Sequence, residues 1–216
     1  MIILLIQNFK IASTLGLNLT DPALFGIDRT QILLAGISDS VQGFPALPGV
    51  AQELRDIGSI MDGDKFLNRD FSLEEVSKKL AVGDYSTAHF ATHGVFGNEY
   101  TDSYLLTYDG RLSLERLQST VGKRRYLDNP LDLLVLSACE TAVGDDRAAL
   151  GLAGVALKAG AKASIASLWL IKDDATARLM GQFYSELAGG KNKAEALQAA
   201  QQDLLGDSLY SHPNFW

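Results

Sequence analysis

The sequence predicts an α/β sandwich built on a mostly parallel central sheet. Three observations predict it. Apolar runs of strand length alternate with helical patterns through most of the chain. The run "LDLLVLS" (131–137) is almost continuously apolar, as expected of a strand covered on both faces. The chain has 216 residues, 47% of them hydrophobic, enough for one domain with a well-buried core.

The elements follow in order. The opening "MIILLIQNFK" reads as a buried core segment, with a short strand around residues 9–13. "QILLAGIS" (31–38) reads as a buried strand. "GFPALPGVAQELRDIGSIM" begins as a loop and becomes an amphipathic helix near Pro48, where proline suits a first helical turn. "DKFLN" (64–68) is a short strand. Ser72 and Glu75 form a capping-box signature for the helix 72–80. "STAHFATHG" (86–94) is a strand that stops at Gly94. Asp109-Gly110 separates two short extended runs, which signals a small antiparallel hairpin. A short helix, "LERLQ", follows. Residues 147–160 have helical spacing and a Gly160 stop. "ASIASLWL" (163–170) is another buried strand. Residues 173–187 and 193–205 are helices, the first with acids at its positive end.

Charge and cysteine usage exclude several function classes. The formal net charge of −7 disfavours phosphate-directed nucleic-acid binding, which needs a basic surface. The single cysteine excludes an internal disulfide framework and a multi-cysteine metal site. It fits a reducing, cytoplasmic setting. The N-terminal run lacks a basic flank and a cleavage site and is too short to span a bilayer, so no membrane partner is expected. Histidines and acids are not spaced as metal ligands, there is no EF-hand-like loop, and no cofactor is expected.

Three predicted strands end in polar or reactive residues: Thr92-His93-Gly94, Ser137-Ala138-Cys139, and Trp169 leading to Asp173. Ligands bind outside the carboxyl ends of parallel strands, so these groups would share one edge. The chemistry suits acyl transfer. A thiol is a strong nucleophile once deprotonated, and a neighbouring imidazole can take its proton and later protonate the leaving amine. The N–H groups of Gly94 and Cys139 could bind the oxyanion. Each residue also has a plainer local reading. Cys139 could be a buried small residue, His93 a structural histidine, and Asp173 the cap of the helix it opens. On local sequence alone the plainer reading is favoured for each, and the shared edge brings catalysis level with it. The loop "GVFGNEYTDS" has the Gly and polar content of a mobile lid.

The phrases "HFATHG", "LVLSACETAVGDDRAALGLAGVALKAGAKASIASLW", "KDDATARLM", "KAEAL" and "HPNFW" occur in order and together resemble the CHAT domain, a caspase-like domain often found with tetratricopeptide repeats. The "RAALGLAGVALKAGA" wording is similar to cyanobacterial members. The resemblance implies a caspase-like three-layer α/β/α sandwich with a small hairpin insertion. It implies one domain over residues 1–216, shortened at the N-terminus and lacking the usual final strand. It places a catalytic dyad on His93, which the expected Gly94 follows, and Cys139, and leaves His89 as a structural residue. "SLWLIKDD" resembles the separase stretch that lines a pocket for a basic P1 residue, which implies Asp173 and Trp169 as S1 residues, with Ser137, small and neutral and two residues before the implied nucleophile, as a third. The implied activity is cysteine endopeptidase cleavage after Arg or Lys of a protein or peptide substrate. The alternative is a latent regulatory or scaffold module activated by a partner that contains tetratricopeptide repeats.

Overall fold

The computed structural model of the chain describes residues 5–11, 31–95, 103–125, 130–137, 160–167 and 171–216. Cys139, Trp169, the loop residues 96–102 and the helix expected at 147–159 lie outside the described residues. Gly160, expected to end that helix, adopts a left-handed φ of 94°, the conformation a helix-stop glycine supplies.

The described chain runs β1 (Ile32–Gly36), α1 (Pro48–Ile60), β2 (Gly63–Leu67), α2 (Leu73–Val82), β3 (Thr87–Ala91), β4 (Gly94–Val95), β5 (Tyr104–Leu106), β6 (Arg111–Ser113), α3 (Leu114–Arg125), β7 (Leu133–Leu136), β8 (Ser164–Ala166), α4 (Asp173–Ala188) and α5 (Lys193–Gly206). Five strands form one sheet in the order β2-β1-β3-β7-β8, with every neighbouring pair parallel. The expected mostly parallel α/β architecture is present.

The apolar runs explain which strands sit centrally. Every residue of β1, β3 and β7 is buried, whereas the edge strands β2 and β8 are partly exposed. Alternate residues face opposite sides of a strand, so each central strand feeds two cores. Leu33, Ala35, Ala88, Phe90, Leu134 and Leu136 pack with Val76 and Leu80 of α2 and Leu117 and Val121 of α3. Ile32, Leu34, Leu133 and Val135 pack with Val50, Leu54 and Ile57 of α1, Leu179 and Phe183 of α4, and Ala200 of α5. Helices therefore cover both faces, giving the three layers of a caspase-like fold. Each fully buried Leu, Ile or Phe contributes about 1.5–3 kcal/mol relative to exposure.

The hairpin forms where Asp109-Gly110 predicts it, as β5 and β6 in antiparallel register. It gains a third strand, because Gly94–Val95 pairs with β5. The backbone thus leaves the parallel sheet at Ala91 and enters the small sheet at Gly94, with Thr92 and His93 between them. Ser72 accepts the Glu75 N–H at the start of α2. A full capping box appears at Asn192 and Glu195, opening α5.

The N-terminal expectation requires correction. Residues 5–7 form a single 3-10 turn and residues 8–11 form no strand, while residues 1–4, 12 and 13 lie outside the described residues. Ile6 is buried, but Leu5 is 67% exposed and Phe9 61% exposed. The segment is held to α5 through polar groups. Gln198 and Gln202 donate to the Ile6 carbonyl, and Lys10 pairs with Glu195 at 2.5 Å. Backbone acceptors, more than the apolar pattern, dock it. Among the described residues no helix is long and apolar enough to cross a membrane.

Candidate active site

Strand register decides which groups can meet. Phe90 of β3 pairs with Leu136 of β7, and the Ser137 N–H donates to the Phe90 carbonyl at 2.8 Å. His93 follows Phe90 by three residues, as Cys139 follows Leu136. The described ends of both strands therefore point to the same edge, at matching heights.

His93 is 4% exposed, and its backbone is pinned by the small sheet. The Leu106 N–H donates to the His93 carbonyl at 2.8 Å, and the neighbouring Thr92 hydroxyl donates to the Leu106 carbonyl at 2.8 Å. The ring is held from the other side by the loop before α1. A tight turn pairs Val41 with Phe44 and places Gln42 and Gly43 at φ 53° and 85°. Both central residues sit in the left-handed region, which a glycine tolerates and a glutamine adopts at a cost. The Gln42 side chain ties the turn to the hairpin by donating to the Thr107 carbonyl at 2.8 Å. Phe44 then lies against the imidazole, with ring centroids 5.0 Å apart. The Pro45 carbonyl sits 2.9 Å from His93 Nε2.

That last contact fixes the tautomer. A carbonyl only accepts, so Nε2 carries the proton and the neutral ring keeps its basic lone pair on Nδ1. A histidine so oriented is suited to take a proton at Nδ1 without turning.

Asp173 opens α4, and its carboxylate accepts the Gly49 N–H from the first turn of α1. It thus sits at the positive ends of two helices. Gly49 permits the approach: a Cβ there would lie 2.7 Å from the Asp173 carboxyl carbon. Burial pushes the Asp173 pKa above its ordinary value, and the like charges of Glu53 and Asp174 add to this. The Gly49 bond and the nearby His93 act in the opposite direction without overcoming burial.

The folded chain therefore holds this proton more tightly than the unfolded chain does. Asp173 favours the fold below its unfolded pKa, and that contribution is lost as pH rises through the raised folded value. Asp173→Asn cannot ionise. Its melting temperature should rise relative to wild type as pH is raised from about 3 to about 7. Thermal denaturation across that range measures it; a relative fall would contradict the raised pKa.

The remaining expected residues are placed differently. Ser137 is 3% exposed, and its hydroxyl donates inward to Glu53 of α1. His89 is wholly buried on the α1 and α4 face of the sheet, between Glu53 and Tyr184. Gly94 follows His93 directly as the first residue of β4. The C-terminal phrase lies beside α4. Tyr210 donates to Asp174 at 3.0 Å, and the Lys172 ammonium lies 5.5 Å from the Phe215 ring. Among the described residues no group of three or more His, Cys, Asp or Glu side chains could hold a metal ion.

Sequence reasoning missed Phe44, Pro45, Gly49 and Glu53. A backbone carbonyl such as that of Pro45 carries no residue-type signal. Glu53 had one: positions 50, 54 and 57 form the buried stripe of α1, and an acid at 53 lies on that same stripe.

The sequence model of the CHAT domain family matches residues 5–216. No curated protein matches the chain. The parallel sheet and the helices on both of its faces agree with that match, which spans nearly the whole length, and the chain belongs to the CHAT domain family, a caspase-like family of cysteine-peptidase relatives.

Proposed function

We propose that the chain is a cysteine endopeptidase with His93 and Cys139 as its dyad. The observation that carries this is the His93 geometry at the carboxyl end of β3, beside β7. A buried imidazole with Nε2 committed to the Pro45 carbonyl presents Nδ1 as a base. Cys139 is two residues beyond Ser137, and two residues of chain reach at most about 7 Å.

In this reading His93 Nδ1 takes the thiol proton and the Cys139 sulfur attacks the scissile carbonyl carbon. The negative charge moves to the carbonyl oxygen, where the N–H groups of Gly94 and Cys139 would bind it. The imidazolium gives its proton to the amide nitrogen, the C–N bond breaks and the amine leaves. Water, deprotonated by the same nitrogen, hydrolyses the thioester and restores the thiol. The Pro45 carbonyl accepts from Nε2 throughout, so the ring keeps its orientation in both protonation states.

Asp173 is the group proposed to select Arg or Lys at P1, with Trp169 beside it as the resemblance implies. Its carboxylate gives one contact to Gly49, and a carboxylate has further acceptor positions for a guanidinium. Cleavage of a positional peptide library tests both levels. Wild type should favour basic P1 residues by about 10- to 100-fold in kcat/KM, and Asp173→Ala should reduce the preference to near unity while cleavage persists. An unchanged preference in Asp173→Ala would refute the S1 assignment. No cleavage by wild type under reducing conditions would refute the peptidase reading.

A further inference from the structure

We propose that Glu53 is the positioning residue of this site: through one buried hydrogen-bonded chain it locks α1 onto β3, β7 and α4, and so fixes the α1 entry that holds His93 and Asp173. The proposal deepens the peptidase reading and rests on it.

The chain of contacts lies wholly inside the protein. Glu53 is 1% exposed, His89 and Tyr184 are 0% and Ser137 is 3%. Glu53 Oε1 accepts the Ser137 hydroxyl and lies 3.1 Å from His89 Nε2. His89 Nδ1 lies 3.2 Å from the Tyr184 hydroxyl. One proton arrangement satisfies every group. Tyr184 donates to Nδ1, Nε2–H donates to Glu53, and Ser137 donates to the same carboxylate oxygen. Each donor is used once. The Tyr184 hydroxyl is held far from ionising by burial first and by the Glu53 charge second.

This network joins four elements at one point: α1 through Glu53, β3 through His89, the end of β7 through Ser137, and α4 through Tyr184. Stability alone does not call for it. A buried carboxylate carries a desolvation cost that an apolar side chain of similar size avoids. What the acid adds is direction, since its bonds close in only one relative placement of the four elements.

The consequence reaches the site through a short rigid lever. Glu53 is one helical turn after Gly49, whose N–H holds Asp173, and the Pro45 carbonyl on His93 lies just ahead of that turn. A shift of α1 moves both contacts together. The other end of the network is Ser137, two residues before Cys139. Gly36 shows how closely α1 sits on the strand ends: a Cβ there would lie 2.6 Å from Val50 Cγ1 and 2.8 Å from the Ala91 carbonyl.

The test compares Glu53→Met, which removes the acceptor at similar volume, with Glu53→Gln, which keeps an oxygen at the Oε1 position. The chain has only three histidines, so His93 is resolvable by 15N imidazole NMR. Wild type should show the Nε2–H tautomer. Glu53→Met should mix the tautomers and lower kcat by about 10- to 100-fold, with KM within about twofold. Glu53→Gln should restore both readouts to within about threefold of wild type. If Glu53→Met does not fold, Ser137→Ala, which deletes one hydroxyl, should move the His93 spectrum in the same direction. A folded Glu53→Met with an unchanged His93 tautomer and kcat, or a Gln variant as impaired as the Met variant, would overturn the proposal. So would an unmoved spectrum in Ser137→Ala where that variant replaces Glu53→Met. Wild type that holds the tautomer but cleaves nothing overturns the peptidase reading alone; the His93 spectra then still decide the role of Glu53.

Discussion

Cys139→Ala and His93→Asn should each lower kcat/KM for a basic-P1 peptide by about 10³-fold or more, and the double variant should be little worse than either alone. Non-additivity is expected because nucleophile and base act as one unit. Without the sulfur there is no covalent step, and without the imidazole only a small fraction of thiol is ionised at neutral pH. His93→Asn is the more informative of the two. The sulfur stays in place while the base is gone, so the loss of rate reads the part played by the imidazole. Both variants should fold, since each side chain is replaced by one of equal or smaller size. Initial-rate kinetics on purified variants check this; loss of only a few-fold in His93→Asn would remove His93 from the chemistry.

Phe183→Ala should destabilise the fold by about 3–5 kcal/mol, among the largest effects expected of a single core substitution. Phe183 is completely buried in α4 and meets Tyr184 edge to face, with centroids 5.2 Å apart. It belongs to the core face that includes Leu34 and Val135 of the sheet and Leu54 and Ile57 of α1. Truncation leaves a cavity where two helices pack on the central strands, and such interiors relax only partly. The same helix carries Asp173 at its first turn and Tyr184 in the buried network. Activity should therefore fall at temperatures well below the midpoint of unfolding. Chemical denaturation with a two-state fit measures the loss; a cost under about 1 kcal/mol would mean that the α4 face is loosely packed.

The sheet was legible because its signal is additive along each strand. "LDLLVLS" and "QILLAGIS" are apolar at successive positions, and only a strand covered on both faces buries such a run. Asp109-Gly110 identified the hairpin through backbone chemistry specific to turns. The segment 5–11 misled for the opposite reason. Its apolar residues suggested burial, but a single 3-10 turn held by glutamine side chains uses the backbone of Ile6 and leaves Leu5 and Phe9 outside. The helix that begins at Leu114 runs on to Arg125, well past the short "LERLQ" stretch: Val121 continues its buried stripe, but the glycine and three cations after it carry no apolar signal to read.

The candidate site was legible in part. His93 and Asp173 stood out as reactive groups at predicted strand ends, and the parallel register brings those ends to one edge. The contacts that orient them were hidden. Pro45 acts through a carbonyl that every residue has. Gly49 matters only because Asp173 comes from 124 residues away to meet its N–H. Gln42 adopts a left-handed φ without being glycine. The role of Glu53 could have been suspected from an acid within an apolar stripe, but its partners, Ser137, His89 and Tyr184, lie on three other elements and converge only in three dimensions.

The central claim is that His93 activates Cys139 for attack on a peptide carbonyl. Intact-mass measurement after incubation with a peptide acyloxymethyl ketone bearing arginine at P1 tests it most directly. The predicted result is one covalent equivalent on wild type, mapped to Cys139 by fragmentation, and adduct formation slowed by about 10²-fold or more in His93→Asn. Equal labelling rates in wild type and His93→Asn, or no adduct on wild type under reducing conditions, would contradict it.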